Sequence, residues 1–222
     1  FYAAPIAEQQ TQQQAAQPPS ATPAAPGATT AAGGQLPGAA PAAAVTRDTA
    51  LASSPRIKIE TPFLSGSINL KGAQIDDLHL LKYRETIDPK SPTIVFLSPA
   101  GTPGAIFAEQ GFVPAAGTTA RLPTPETLWT APAGAVLGEN SPVTLTWDNG
   151  EGLVFTRTIA VSDEYPFTIT QAVDNRGTAP VALSPYARVV RQDTPVIAGW
   201  WVFFEGMLGV SQSGLNEVHY DD

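Results

Sequence analysis

Apolar and polar residues alternate with a period of two in several short segments of the second half of the chain. In Val143–Trp147, three apolar residues are separated by two threonines, a pattern typical of a half-buried strand. Leu153–Val161 continues the pattern, and the intervening Asn149-Gly150 predicts a hairpin in which both central residues take positive φ. Phe167–Asp174 and Pro180–Val190 follow after further turns. We therefore expect a meander of at least four antiparallel strands.

The pattern farther upstream also predicts strands. In Arg56–Glu60, two isoleucines alternate with charged residues and are expected to point inward. Ile94–Leu97 is continuously apolar, which is typical of a strand covered on both faces. Residues 99–142 are rich in Gly and Pro, so we expect loops, short edge strands and at most one helical turn there. Many short strands separated by turns, with no long helix, indicate an all-β sandwich.

The composition changes sharply near residue 55. Up to Pro55 the chain consists mostly of Ala, Pro, Gln, Thr and Gly, and its only charged residues are Glu8, Arg47 and Asp48. Such a segment cannot bury enough apolar surface to offset its ordering entropy. We therefore expect residues 1–55 to be a disordered linker and residues 56–222 to be the folded domain. Because the chain lacks an initiator Met and has no natural end signal, we expect a piece of a longer protein, with a membrane helix or signal peptide before Phe1.

Charge and cysteine content exclude several classes of function. The net charge of −8 argues against binding to nucleic acid or to anionic lipid. The absence of cysteine excludes disulfides and thiol chemistry. No stretch of the sequence approaches the roughly 18 apolar residues that a membrane span needs.

Candidate catalytic residues are few. Of the two histidines, His79 lies in a strand-like run, where a packed or surface position is expected. His219 lies near two terminal aspartates. A terminal segment, however, rarely supplies converging metal ligands whose orientation is fixed by further hydrogen bonds. Asp76-Asp77 are neighbours on a predicted strand, so their side chains point to opposite faces and cannot share a proton. With no nucleophile or phosphate-binding motif either, the sequence predicts a domain without catalytic residues, metal or cofactor.

The densest apolar segment is Gly199–Val210. Its four large aromatic residues are Trp200, Trp201, Phe203 and Phe204. On a strand these side chains fall on both faces, so either both faces are covered or one of them faces a groove for an apolar ligand or partner. Burial in the core is the favoured interpretation, because large apolar residues are usually buried.

Residues 56–99 carry a family resemblance. The features that match are a strand pair of the form I-x-I-x-T-P-x-L-x-G-x-I, then G-A-x-I-D-D-L, K-Y-R-E-T and I-V-x-L-S-P. Val154–Val181 and the sequence FFEGMLGV at Phe203–Val210 match as well. With these motifs the chain resembles the first large periplasmic domain of the bacterial membrane protein insertases of the YidC/Oxa/Alb family.

The resemblance implies a fold and a setting. The fold would be a twisted antiparallel β-supersandwich, similar to galactose-mutarotase-like sugar-binding folds, with its C-terminal end truncated here. The domain would lie between the first two membrane helices of an inner-membrane protein and face the periplasm. It would serve a transmembrane insertase domain of its own protein, contact SecD and SecF of the Sec translocon, and assist nascent inner-membrane proteins. The insertase activity would belong to membrane helices outside this chain, with no catalytic residue or cofactor in this domain.

Two other functions stay open. By analogy of fold alone, the domain can be a carbohydrate-binding or aldose-epimerase-like module. An epimerase needs a positioned acid and base, usually His and Glu, that face one pocket. The chain has only two histidines, one in a strand-like run and one near its end, so such a pair is not expected. The third function is that of a structural spacer or adhesion-type β domain.

Overall fold

The computed structural model describes residues 45–162, 164–195, 204–211 and 214–220, all within the compact unit that spans Ala43–Asp222. The elements in chain order are α1 (Arg47–Ala52), β1 (Arg56–Glu60), β2 (Leu64–Asn69), β3 (Gln74–Arg84), β4 (Thr93–Leu97), β5 (Ile106–Pro114), β6 (Val136–Leu137), β7 (Val143–Asp148), β8 (Leu153–Val161), β9 (Phe167–Asn175), β10 (Leu183–Arg191), β11 (Gly206–Ser211) and β12 (Gly214–His219). None of the described helices is long and apolar enough to cross a bilayer.

The strands form two main sheets and one separate hairpin. The large sheet has the order β10-β5-β3-β2-β1-β6, and β4 also pairs with β3. The small sheet has the order β7-β8-β9, and β11 pairs with β12. All pairs are antiparallel except the short pair of β1 with β6, which is parallel. The predicted all-β sandwich is confirmed for the described residues.

The core lies between the two sheets, and alternation selects the residues that enter it. Ile57 and Ile59 of β1 are buried as predicted. Phe155 of β8 is fully buried, and its ring centroid lies 5.5 Å from those of Phe112 on β5 and Trp147 on β7. Burying a large apolar side chain contributes about 1.5–3 kcal/mol. One continuous apolar cluster therefore holds the large and small sheets together.

The predicted four-stranded meander is wrong in its last strand. β7, β8 and β9 form a meander, but β10 pairs along its whole length with β5 of the large sheet. After β9, the backbone N–H of Ala115 and the hydroxyl of Thr118 bond to the carbonyl of Ala182 and bring the chain to β5. Alternation along a strand does not encode which sheet the strand joins.

The turn between β7 and β8 also differs from its prediction. The hairpin is present, but Gly150 and Gly152 take positive φ while Asn149 does not. The side chain of Asn149 instead accepts hydrogen bonds from the backbone N–H groups of Glu151 (2.7 Å) and Leu153 (2.9 Å). The loop is therefore longer than a two-residue turn and is held by an asparagine side chain.

Two predictions for the middle of the chain are wrong. Residues 99–142 contain a nine-residue central strand, β5, which the pattern hid because Glu109 and Gln110 are buried along with the apolar residues. β4 is not covered on both faces, since Val95 and Phe96 are 41% and 52% exposed. The ladder to β3 passes from Leu97 to Val95, which leaves Phe96 as the extra residue of a β-bulge.

The helix α1 lies inside the segment that the composition predicts to be a disordered linker. The hydroxyl of Thr46 caps it by accepting from the backbone N–H of Thr49 (3.3 Å), and Asp48 supplies a negative charge in its first turn. For residues 46–52 the prediction of disorder is therefore wrong. Residues 1–44 lie outside the described residues, and the linker stays a prediction there.

Candidate functional site

An apolar groove of about 500 Å³ lies between the large and small sheets. The large sheet contributes side chains from β2, β3, β4, β5 and β10, and the small sheet contributes Phe167 and Ile169 from β9. No charged residue is among the described residues that line it, and its only polar side-chain atoms there are the hydroxyls of Tyr83 and Tyr165. Its volume falls within the range of about 300–1,000 Å³ that is usual for ligand sites.

The floor of the groove is buried, and its rim is exposed. Leu64 and Leu78 form part of the floor and are 1% and 3% exposed. Tyr83, Phe96 and Val189 also line the groove, yet each is more than half exposed. A single exposed apolar side chain is ordinary, but several of them around one open apolar groove form a patch of the kind that marks interaction sites.

The β-bulge in β4 shapes this rim. Because the bulge inserts Phe96 between two paired residues, both Phe96 and the neighbouring Leu97 line the groove, although side chains normally alternate between faces. Sequence reasoning missed the groove. The signal that could have found it is the two-sided apolar run Ile94–Leu97, which fits either a covered strand or a strand that faces a binding groove.

The aromatic residues that the sequence singled out are described only in part. Trp200, Trp201 and Phe203 lie outside the described residues. Phe204 is half-buried, and its ring centroid lies 4.7 Å from that of His219 on β12. It is not among the described residues that line the groove. A role for these four residues in partner contact therefore stays a prediction.

The most deeply buried polar group is Arg157 on β8, which is 1% exposed. Its guanidinium donates to the backbone carbonyls of Ala73 (2.9 Å) and Gln110 (2.6 Å) and lies over the ring of Trp129, 4.9 Å from its centroid. Burial lowers the pKa of Arg157 to about 10, and the nearby Tyr186 and Glu109 oppose this shift. Arg157 is therefore still a cation at neutral pH, and it links the two sheets.

Asp76 and Asp77 are both buried, but they bind different arginines. Asp76 accepts from Arg56 and from Asn69 (3.3 Å), while Asp77 accepts from Arg47 and from the hydroxyl of Ser67 (2.6 Å). Burial raises the pKa of Asp76, and the hydrogen bond and charge of Arg56 oppose the rise. Two separate ion pairs therefore stand where a catalytic carboxylate pair was considered.

His79 is half-buried beside the second of these ion pairs. Its Nε2 lies 3.1 Å from the Nη2 of Arg47 and 3.7 Å from the Oδ1 of Asp77. Burial and then the charge of Arg47 lower the pKa of His79, and Asp77 opposes them. No group of three or more His, Asp or Glu residues within the described ranges converges as a metal site would require.

Comparison with known proteins identifies the family. The family model of the YidC periplasmic domain matches residues 56–222. Proteins named membrane protein insertase YidC from Bradyrhizobium diazoefficiens and Beijerinckia indica are 48% and 47% identical over 99% and 100% of the chain. The counterpart from Nitrobacter hamburgensis is 50% identical over 80% of the chain. The chain spans 38%, 38% and 29% of the length of these three relatives.

The matched range contains every described strand of the two sheets, the groove between them and the buried arginine that joins them. The helix α1 precedes it. This chain therefore belongs to the family of the YidC periplasmic domain, and the domain that it forms faces the periplasm.

Proposed function

We propose that this chain is the non-catalytic periplasmic domain of a membrane protein insertase, and that its groove holds apolar segments of inner-membrane proteins before they enter the bilayer. Membership of the family supports the first part. The observation that carries the second part is the uncharged groove with the exposed Phe96 and Val189 on its rim. An apolar segment that covers this rim removes the side chains of both partners from water.

The chemistry of the groove favours an apolar segment over a carbohydrate. A bound sugar would meet hydrocarbon side chains and two tyrosine hydroxyls, so most of its own hydroxyls would lose hydrogen bonds without replacement. An epimerase would need a histidine in the site, and neither His79 nor His219 is among the described lining residues. The carbohydrate-binding or aldose-epimerase-like function therefore has no support from this site.

The expected affinity suits a holding role. Burying one large apolar side chain is worth about 1.5–3 kcal/mol, and the volume has room for only a few such side chains. The cost of ordering a flexible segment subtracts from this gain. Binding should therefore be weak and quickly reversible, so that the segment can leave for the bilayer.

The proposed partners are the transmembrane insertase domain of the same protein, nascent inner-membrane proteins, and SecD and SecF of the Sec translocon. Only membership of the family supports the proposed contact with SecD and SecF. A pull-down of purified SecD and SecF by the chain tests it. Retention at moderate ionic strength supports the contact, and complete failure across ionic strengths removes it.

Peptide binding tests the groove directly. The probe is a fluorescent, uncharged ten-residue peptide in which Leu and Ser alternate, titrated with the full chain while its anisotropy is recorded. Phe96→Gln and Val189→Gln should each weaken binding about tenfold, which corresponds to about 1.4 kcal/mol of lost apolar contact. Val95→Gln is the matched control, because Val95 is exposed on the same strand but does not line the groove.

The peptide-binding results distinguish a binding groove from a structural spacer. Weakening by the two rim variants with an unchanged control supports the groove. No measurable binding, or equal weakening by Val95→Gln, contradicts it and favours a structural spacer. All three residues are exposed, so their replacement should leave the fold intact, which circular dichroism checks.

A further inference from the structure

The helix α1 is attached to the sheet mainly by one side chain. None of its residues is buried. Arg47, its first residue, reaches the large sheet, where Nη2 donates to Oδ1 of Asp77 and Nε donates to the hydroxyl of Ser98 (3.3 Å). The family model begins only at residue 56, so Arg47 and α1 lie outside the part of the chain that it matches, while Asp77 and Ser98 lie inside it.

The attachment site on the sheet is a buried carboxylate. Asp77 is 7% exposed, and its other hydrogen-bond donor is the hydroxyl of Ser67. A buried carboxylate is stable when a cation and hydrogen bonds satisfy it, and Arg47 supplies both. Asp77 therefore holds Arg47 as long as no other cation takes its place.

His79 is placed to become that other cation. It lies two residues after Asp77 on β3, and its Nε2 is 3.1 Å from Arg47 Nη2 and 3.7 Å from Asp77 Oδ1. A guanidinium nitrogen only donates hydrogen bonds, so the contact with Arg47 requires an Nε2 that carries no proton. A protonated His79 could not accept this hydrogen bond, would repel Arg47 and would attract Asp77.

We propose that Arg47, Asp77 and His79 form a pH-sensitive latch, in which neutral His79 keeps α1 on the sheet and protonated His79 takes over Asp77 and releases Arg47. Arg47 from α1 and Asp77 from β3 are the charged groups that face the imidazole, while Ser98 and Ser67 contribute only hydroxyls. Release detaches α1 from the large sheet.

The sign of the pH dependence follows from the two neighbours. Burial and Arg47 lower the pKa of His79 while α1 is attached. Once Arg47 has left, its charge no longer opposes protonation, so acid favours the released state. The latch should be closed at neutral pH and should open as the pH falls through the lowered pKa of His79.

The rate at which trypsin cleaves the full chain after Arg47 measures whether the latch is open. Arg47 is the only Lys or Arg in residues 1–55, so cleavage after it gives one defined product. The rate is divided by that of a free peptide with the sequence of residues 44–53, which cancels the pH dependence of trypsin itself. This ratio should rise about fivefold from pH 7.5 to pH 5.0, the factor that one lost net hydrogen bond gives. Cleavage sites after residue 56 should stay protected.

His79→Gln is the control, because the amide oxygen of glutamine can accept from Arg47 but cannot be protonated in this range. Its cleavage ratio should stay low at both pH values. An equal rise in wild type and variant, or a flat ratio in wild type, would overturn the latch. As a second measurement, Arg47→Gln should raise the pKa of His79 in an NMR titration, and an unchanged pKa would also overturn it.

Discussion

Arg157 on the small sheet donates a hydrogen bond of 2.9 Å to the backbone carbonyl of Ala73, in the turn between β2 and β3 of the large sheet. The same guanidinium donates to the carbonyl of Gln110 on β5 and to the side chain of Gln171 on β9 (3.1 Å). A buried cation thus satisfies polar groups from both layers of the sandwich. The apolar core supplies most of the driving force, while this residue fixes how the two sheets align.

Replacing Arg157 with Met should destabilise the fold by about 2–6 kcal/mol, because it removes the arginine donor from two buried carbonyls, at about 1–3 kcal/mol each. Arg176→Met is the matched control. Arg176 pairs with Asp174 on the surface, both side chains are 62% exposed, and such pairs contribute about 0–1 kcal/mol. Urea unfolding followed by tryptophan fluorescence measures both. Equal stability of the two variants would contradict the role of Arg157 as the link between sheets.

Replacing Arg47 with Met should destabilise the domain by about 1–3 kcal/mol, since Asp77 would stay buried with only the hydroxyl of Ser67 as donor. Lys58→Met serves as the comparison, because Lys58 and Glu60 form a pair 3.6 Å apart on an exposed surface. Its effect should stay within about 0.5 kcal/mol. If the two variants unfold at the same urea concentration, α1 is not part of the stable domain.

The stability of the wild-type chain should fall between neutral and mildly acidic pH. The pKa of His79 is lowered in the folded state, so the unfolded chain binds its proton more readily. The contribution of His79 to the free energy of unfolding is fully present above its ordinary pKa of 6.5. It is lost as the pH falls toward the lowered pKa of His79 in the folded state. His79→Gln should flatten this part of the curve of unfolding free energy against pH. A variant curve parallel to that of wild type would exclude His79 as the cause.

Gly66 in β2 is expected to tolerate no side chain. A Cβ added there would overlap the backbone carbonyl of Asp77 on the neighbouring strand, so Gly66→Ala should cost about 1–3 kcal/mol. In Gly209→Ala, the added methyl meets nothing within 4 Å, and stability should hardly change. Thermal unfolding of the pair checks this. A Gly66→Ala variant as stable as its control would show that β2 can move away from β3.

Much of the fold follows from local pattern, as β1, β7 and β8 show. Ile57 and Ile59 alternate with charged residues and are buried, so period and burial agree. β5 escapes this reasoning because Glu109 is buried as well. Gln74, Tyr186 and Arg188 satisfy its carboxylate from other strands. A polar residue satisfied by distant partners looks like a surface residue in the sequence.

The sequence pattern did not predict the groove. The apolar run in β4 fits a strand covered on both sides, and the bulge that turns Phe96 toward the groove depends on pairing with β3. The same limit applies to Arg47, which lies in a low-complexity segment and meets Asp77 only after folding. Contacts between residues far apart in the chain decide both features.

Photo-crosslinking at position 96 tests whether the groove holds substrate. A full-length insertase that carries this domain receives a benzophenone amino acid in place of Phe96, and ribosome-bound nascent inner-membrane proteins are supplied as substrate. We expect crosslinks from position 96 to apolar segments of the nascent chain and none from position 95, which does not line the groove. The absence of crosslinks at position 96, or equal yields at both positions, would contradict the groove as the site that holds substrate.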